Sequence, residues 1–481
     1  MLKLSPGLAD WSDQALVMTF GGLTLVSSLL SVALYDPLPL LLPIICLGAL
    51  FVFSVPKFIF YTFFFLLPFS VEVEVGSLGT DLPSEPMMII LVAITGLLFI
   101  TKNIKNAIGF FSHPITLLLL LHVGWIFLTT LSSTVPIFSL KYLLAKLWYI
   151  IPFFFLPLML FNKEGDFRKL FFGLSFTVFI AVAYVWVRHL PSGFAFETSN
   201  KIIRPIFRNH VSYAIMLLAF LPYFWHMIRT SGIKNKIWPY FLCMILLVAI
   251  NLSYTRAAQL SVFLIIGFYW IVKFRILKLA IGVGLIAVTA LVLHLSVGNK
   301  YLDYAPNFEK TVTHTNFNDL VGATTKMEDI STVERFYRWV AGGYMVKEKP
   351  VLGFGPSSFY TNYSAYTVTS YQTYVSDNPE RSGIHNNYLM VAVEQGLPGF
   401  LIMLVLAVLP LIYCETVYHR LHNTREKGLV MAAGMCYFGI GVTNLINDLI
   451  EVDKIGPFYF MSAAIIVLFD VKSRKDAQGT S

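Results

Sequence analysis

His385 stands before two asparagines in Ser382-Gly-Ile-His-Asn-Asn-Tyr-Leu389, and an apolar run follows at once. An imidazole at a helix N-terminus lies in the positive end of the macrodipole, which lowers its basicity and favours a neutral ring able to take a proton from a hydroxyl. A lone histidine can equally be structural. The other conspicuous groups are cations. Arg188, Lys201, Arg204 and Arg208 crowd one connection against a single acid, Glu197, and Arg256 in Asn251-Leu-Ser-Tyr-Thr-Arg-Ala-Ala-Gln259 separates two apolar runs with almost no loop. Arg335 and Arg338 follow in Ser331-Thr-Val-Glu-Arg-Phe-Tyr-Arg-Trp339. Guanidinium groups grip phosphate or carboxylate through charge-assisted hydrogen bonds, so the inventory suits an anionic ligand beside one base.

These residues are set in a chain that cannot be water-soluble. Of 481 residues, 57% are hydrophobic and 13% charged, against about 25% charged in ordinary soluble proteins. Most apolar stretches are about 17–25 residues long, enough at about 1.5 Å per residue to cross a hydrocarbon core of about 30 Å. The expected fold is an all-α polytopic membrane protein with about 14 transmembrane helices. The expected spans begin Ala15–Leu34, Leu38–Val55, Phe58–Val71, Pro86–Thr101, Ile115–Leu131, Leu143–Phe161 and Leu170–Val187. They continue Val211–Ile228, Ile237–Asn251, Leu260–Lys273, Leu277–Val297, Leu397–Thr416, Leu429–Leu445 and Pro457–Phe469.

Lys and Arg near span ends bias a loop to the cytoplasm. Lys102 and Lys105, Lys163, Arg168 and Lys169, Arg229, Lys234 and Lys236, Lys273, Arg275 and Lys278, Arg420, Arg425 and Lys427, and the tail with Lys472, Arg474 and Lys475 all fall at alternate connections. That face is expected to be cytoplasmic. The other face holds the acidic connection 72–85 and a long hydrophilic segment, 298–396, where a substrate head group could be handled. The cationic connection 188–210 breaks the charge rule on this outer face, either as an anion site or by snorkelling toward anionic lipid. Arg256 lies at the outer boundary, where such a charge marks function by default or snorkels from a helix end.

Within the long segment, residues 331–346 have helical periodicity, with Val333, Phe336, Val340 and Tyr344 on one side, Arg335 and Arg338 displaced from it, and a capping hydroxyl at Thr332. The arginines either bind or form a solvated face. Pro350-Val-Leu-Gly-Phe-Gly-Pro-Ser-Ser-Phe359 lacks GxGxxG and GxxxxGK[ST], so it is no nucleotide loop, and is either a tight turn presenting backbone amides or an ordinary connection. Tyr360, Tyr363 and Tyr366 open a tyrosine-rich stretch that suits sugar rings or a membrane interface. No metal is expected: Glu72 and Glu74 alternate as in a strand, and Asp448, Glu451 and Asp453 read as loop polarity. The four cysteines, Cys46, Cys243, Cys414 and Cys436, lie in apolar stretches and read as small hydrophobes. His122 and His294 read as isolated in otherwise nearly uncharged spans.

An arginine between adjacent spans, a Glu334-Arg-Phe-Tyr-Arg-Trp339 helix, a Pro-x-x-Gly-x-Gly turn and His-Asn before a helix together resemble the O-antigen ligase and polymerase superfamily, over roughly Arg204 to Gly399. The resemblance divides the chain into N-terminal helices 1–203, a ligase-like region 204–399 that includes the loop 298–396, and C-terminal helices with a tail, 400–481. It implies a fold similar to C-type membrane glycosyltransferases and a bacterial inner-membrane enzyme with a periplasmic active site. Such an enzyme transfers a glycan from undecaprenyl diphosphate by inversion, without a metal or other cofactor. His385 would deprotonate the acceptor hydroxyl. Arg256 and Arg208 would hold the diphosphate, with Arg204, Arg335 and Arg338 assisting. The expected partners are the lipid-linked donor, a glycolipid, glycan or protein acceptor and the bilayer, with no nucleic acid. A ligase acting on lipid A core, a polymerase, a protein O-oligosaccharyltransferase and a transporter of lipid-linked glycan all stay open.

Overall fold

The computed structural model describes residues 13–34, 38, 41–42, 54–75, 78–101, 108–232, 237–304, 330–373, 376–378 and 382–479. The expected span Leu38–Val55, with Cys46, falls largely outside them, as do Lys102, Lys105, Lys234, Lys236 and part of the long hydrophilic segment. The helices of more than ten residues are α1 (Asp13–Leu34), α2 (Pro56–Leu66), α3 (Ser84–Thr101), α4 (Pro114–Leu131), α5 (Pro136–Ile150), α6 (Glu164–His189) and α7 (His210–Thr230). After them come α8 (Ile237–Leu252), α9 (Arg256–Lys273), α10 (Leu277–Ser296), α11 (Ile330–Glu348), α12 (Asn387–Arg420), α13 (Thr424–Thr443) and α14 (Gly456–Gly479). A two-stranded antiparallel hairpin, β1 (Val71–Val75) and β2 (Leu78–Leu82), joins α2 to α3 and pairs Glu72 with Asp81.

Among the described residues nine helices are long and apolar enough to cross a membrane, rather than about 14. Where the spans Ala15–Leu34, Phe58–Val71 and Ile237–Asn251 are expected, the structure has the shorter apolar helices Gly21–Leu34, Pro56–Phe69 and Ile237–Leu252. Several boundaries also move. α5 begins at Pro136 rather than Leu143, runs on through a π turn at Ile151–Phe155 to Leu160, and carries the buried Lys146. α9 begins at Arg256 rather than Leu260, and α12 begins ten residues before Leu397, bent at Gly396, whose φ is +69°. Polar residues sit within these helices because partners from elsewhere in the chain satisfy them, which hydropathy cannot register.

α13 is the hub of the bundle and packs against α7, α9, α12 and α14. Membrane helices approach closely where side chains are small, and α13 supplies Ala432, Ala433, Gly434 and Gly439. A Cβ on Gly434 would lie 2.3 Å from the Cys414 sulfur, and one on Gly439 would lie 3.0 Å from Ile265. By contrast α10, the most apolar after α12, buries no residue of its spanning window and meets α9 and α12 only lightly, from Leu277 and Ile281.

Charge pairs gather at the bundle's two ends. At one end lie Lys57–Asp166 (3.3 Å), His226–Glu164 (3.2 Å), Arg420–Asp470 (2.7 Å), Arg474–Asp470 (2.8 Å) and Lys472–Glu426 (2.6 Å). At the other lie the hairpin, the segment 190–209, α11 and the connection between α13 and α14. Gly434→Leu should cost about 1–3 kcal/mol by overpacking, seen as a lowered Tm in detergent. Gly282→Leu on α10, where a Cβ meets nothing within 4 Å, should stay within about 0.5 kcal/mol.

Candidate functional site

α11 builds a small core of its own. Val333, Tyr337, Ala341 and Met345 are buried with Phe354, Phe359, Tyr363, Tyr371, Ile384 and Val393. The buried stripe therefore runs through 333, 337, 341 and 345, not through Phe336, Val340 and Tyr344; Tyr344 is exposed. Thr332 lies inside the helix, which begins at Ile330. The corrected register turns Arg338 inward to 5% exposure, so it belongs to no solvated face. Arg338 donates to the Gly383 carbonyl (3.4 Å), its guanidinium lies 3.8 Å from Glu334, and the Trp339 indole donates to the Ile384 carbonyl (3.1 Å). Two successive residues of α11 thus hold the two carbonyls that precede His385.

His385 occupies the left-handed backbone region, φ +55°, an uncommon place for a residue with a side chain. The conformation is held from both sides. Asn386 caps α12 by accepting from the Leu389 amide (3.0 Å), and the His385 amide donates to Asp448 Oδ2 (3.0 Å). Burial, then the positive charges of Arg335 and Arg338, lowers the imidazole to about 4, so the ring is neutral at pH 7. Burial pushes Asp448 up to about 7, against the lowering effect of the His385 amide. Its other oxygen, Oδ1, is closed off from solvent and has no hydrogen-bond partner among the described residues. The sequence reads Asp448 only as loop polarity because its partner is 63 residues away.

The connection from Asn444 to Ile455 carries more than Asp448. The Asn387 amide donates to the carbonyl of Asn444 (2.9 Å) and is 3.3 Å from that of Asn447. Glu451 pairs with Lys146 of α5, Asp453 accepts from Ser84 (2.9 Å), and the Lys454 ammonium donates to the carbonyls of Ser70 (2.6 Å) and Ile206. The three acids of this connection go to three different partners and do not converge on one point. Lys146 shares an internal cavity of about 20 Å³ with His122, so His122 is not isolated as expected.

The remaining arginines lie toward the Lys454 end. Arg208, 58% exposed, is 2.9 Å from Glu72 and 3.2 Å from Asp81 of the hairpin, and its charge reaches Asp453 and Lys454. The cationic connection 188–210 is thus balanced in part by the acidic one. Arg204 is exposed; its carbonyl accepts from Tyr184 (3.2 Å) and from Arg188. Arg256 opens α9 beside Thr255, whose hydroxyl donates to the His210 carbonyl (3.2 Å), so its backbone adjoins the Arg204–His210 segment. Arg335 and Arg338 surround His385, and Arg208 stands at the far end of the same connection.

The Pro350–Phe359 turn presents few free amides. Those of Ser357 (2.9 Å) and Phe359 (3.1 Å) go to Glu394, and those of Phe354 and Gly355 go to the carbonyls of Val393 and Glu394. The turn seats against the bend at Gly396, where a Cβ would fall 2.1 Å from the Val351 carbonyl oxygen. Of the tyrosines, Tyr363 is buried and donates to the Ser376 carbonyl (3.2 Å), so it packs rather than offering a ring. Tyr360 is 41% exposed, and Tyr366 is half-buried and donates to Glu348 (2.7 Å).

Arg256, Arg335, Arg338 and His385 all fall in the segment where the chain can be compared with a known family; Arg204, Arg208, Lys146 and Asp448 lie outside it. No curated protein matches the chain. Residues 241–404 match the family model described as O-antigen ligase, so this part of the chain is similar to that family.

Proposed function

We propose that the protein is an inner-membrane glycosyltransferase that moves a glycan from undecaprenyl diphosphate to an acceptor hydroxyl at the periplasmic face, as an O-antigen ligase-type enzyme. The observation that carries this reading is His385, fixed by Asp448 in a strained backbone conformation and kept neutral beside two arginines. In this mechanism the imidazole takes the acceptor's proton as the acceptor oxygen bonds to the anomeric carbon. The bond from that carbon to the phosphate oxygen breaks with inversion, and its electron pair leaves on undecaprenyl diphosphate. No metal takes part in this scheme. Charge on the leaving group is met by Arg335 and Arg338, with Arg208, Arg204 and Arg256 holding the rest of the donor head group; each charge-assisted hydrogen bond is worth about 1.5–3 kcal/mol. Tyr360 and Tyr366 offer ring surface to the sugars.

A base lowered to about 4 is a weak proton acceptor. Donor binding relieves part of this, because the imidazole is lowered first by burial and then by Arg335 and Arg338, and a diphosphate beside the two arginines offsets their charge. The acid limbs of the pH profile should therefore separate. The limb of kcat/KM, which reports the free enzyme, should lie near pH 4, since a lowered imidazole stays neutral until the pH falls that far. The limb of kcat, which reports the donor complex, should lie higher, toward the ordinary histidine value of about 6.5. Coincident limbs would remove the proposed coupling.

His385→Ala should reduce transfer by about 10²–10⁴ while leaving donor binding intact, and full transfer by this variant would exclude His385 as the base. Deleting the gene and running cell-surface glycans on a gel tests the acceptor. Full-length glycan stranded on the carrier identifies a ligase. Single repeats on the core identify a polymerase, unglycosylated proteins with unchanged polysaccharide a protein glycosyltransferase, and donor trapped at the cytoplasmic face a transporter.

A further inference from the structure

Lys146 is the one cation of α5 that points into the bundle. It is 3% exposed and lies ten residues beyond Pro136, roughly 15 Å along the helix axis. A buried ammonium is costly unless paired, and removing one member of a buried pair leaves the other stranded. Its partner is Glu451, and α5 grips this residue at three points. Lys146 pairs with the Glu451 carboxylate, Tyr142 donates to the same carboxylate (3.2 Å), and Tyr149 donates to the Glu451 carbonyl (2.8 Å). Residues 142, 146 and 149 recur at helical spacing, so one stripe of α5 holds one loop residue by both side chain and backbone.

Glu451 is three residues from Asp448, whose carboxylate holds the His385 amide, and between them the Leu449 amide donates to Asn444 Oδ1 (3.0 Å). The path from α5 to the imidazole is a series of hydrogen bonds and a short, turned stretch of backbone. We propose that Lys146 is a positioning residue: by pairing with Glu451 from inside the bundle it sets the loop 444–455 and, through Asp448, the place of His385. The inference rests on the reading of His385 as the base for its kinetic consequence, and on geometry alone for its structural one.

Kinetics of purified full-length protein with lipid-linked donor, and amide exchange of the same samples, test both. Lys146→Met should lower kcat by about 10²-fold, the scale of a small misplacement of a reacting group, with KM for donor within about twofold of wild type. Lys146→Arg should restore most of the rate, because it keeps the charge. Since the stranded Glu451 carboxylate can itself unfold Lys146→Met, the double variant Lys146→Met/Glu451→Met replaces the pair by apolar groups, an exchange often neutral for stability. The double variant should keep the wild-type Tm, lose kcat like the single one, and exchange faster at residues 384–388 and 446–451. Wild-type kcat and exchange in a folded double variant would overturn the positioning role. If His385→Ala transfers glycan like wild type, the base assignment fails by itself, and the exchange result still decides whether Lys146 sets the loop.

Discussion

The organising constraint is that a loop rich in charge is drawn down into an apolar bundle, where each charge must find a partner or not be charged. Between Asn444 and Ile455 the chain carries two aspartates, a glutamate and a lysine. Each is answered from a different place: Asp448 by the start of α12, Glu451 by α5, Asp453 by Ser84 at the start of α3, and Lys454 by carbonyls at the hairpin and before α7. Burying these groups unpaired would cost several kcal/mol apiece, so the pairings dictate where five segments distant in sequence come to rest. The close helix packing around α13 then fixes the frame that receives them.

The same economy governs the long hydrophilic segment. Its backbone polar groups need partners once they leave water, and Glu394 supplies two acceptor oxygens to the turn after Gly355. Placing that carboxylate requires α12 to bend at Gly396, where the positive φ and the tight approach of Val351 demand glycine. The bend in α12 and the turn 350–359 are therefore one feature. It orients the first turns of α12, at whose mouth His385 stands.

Much of this was legible in the sequence and the rest was not, for physical reasons. Apolar length and loop charge identify the helices, because a bilayer punishes polar length directly. The strand at Glu72 and the helix near residues 331–346 follow from local period, and His385 from its place before an apolar run. What failed were judgements about which face is buried. The stripe of α11 is offset because Arg338 is neutralised by Glu334 and the Gly383 carbonyl, contacts no periodicity contains. For the same reason Asp448 reads only as loop polarity and Lys146 does not stand out from its apolar run. Their partners stand 63 and 305 residues away, and a charge whose partner is out of view reads as loop polarity or as a helix end.

The loop also rules the distance between the two groups of cations. Arg335, Arg338 and His385 gather at the Asp448 end, while Arg208 and Lys454 stand at the other with Asp81 and Asp453. Six residues fully extended reach at most about 20 Å, and turns through Leu449–Ile455 shorten that span. The loop residues that answer the two groups therefore stand no more than about 20 Å apart along the backbone. Their spacing is set largely by the loop, so a ligand that engages both groups must match it.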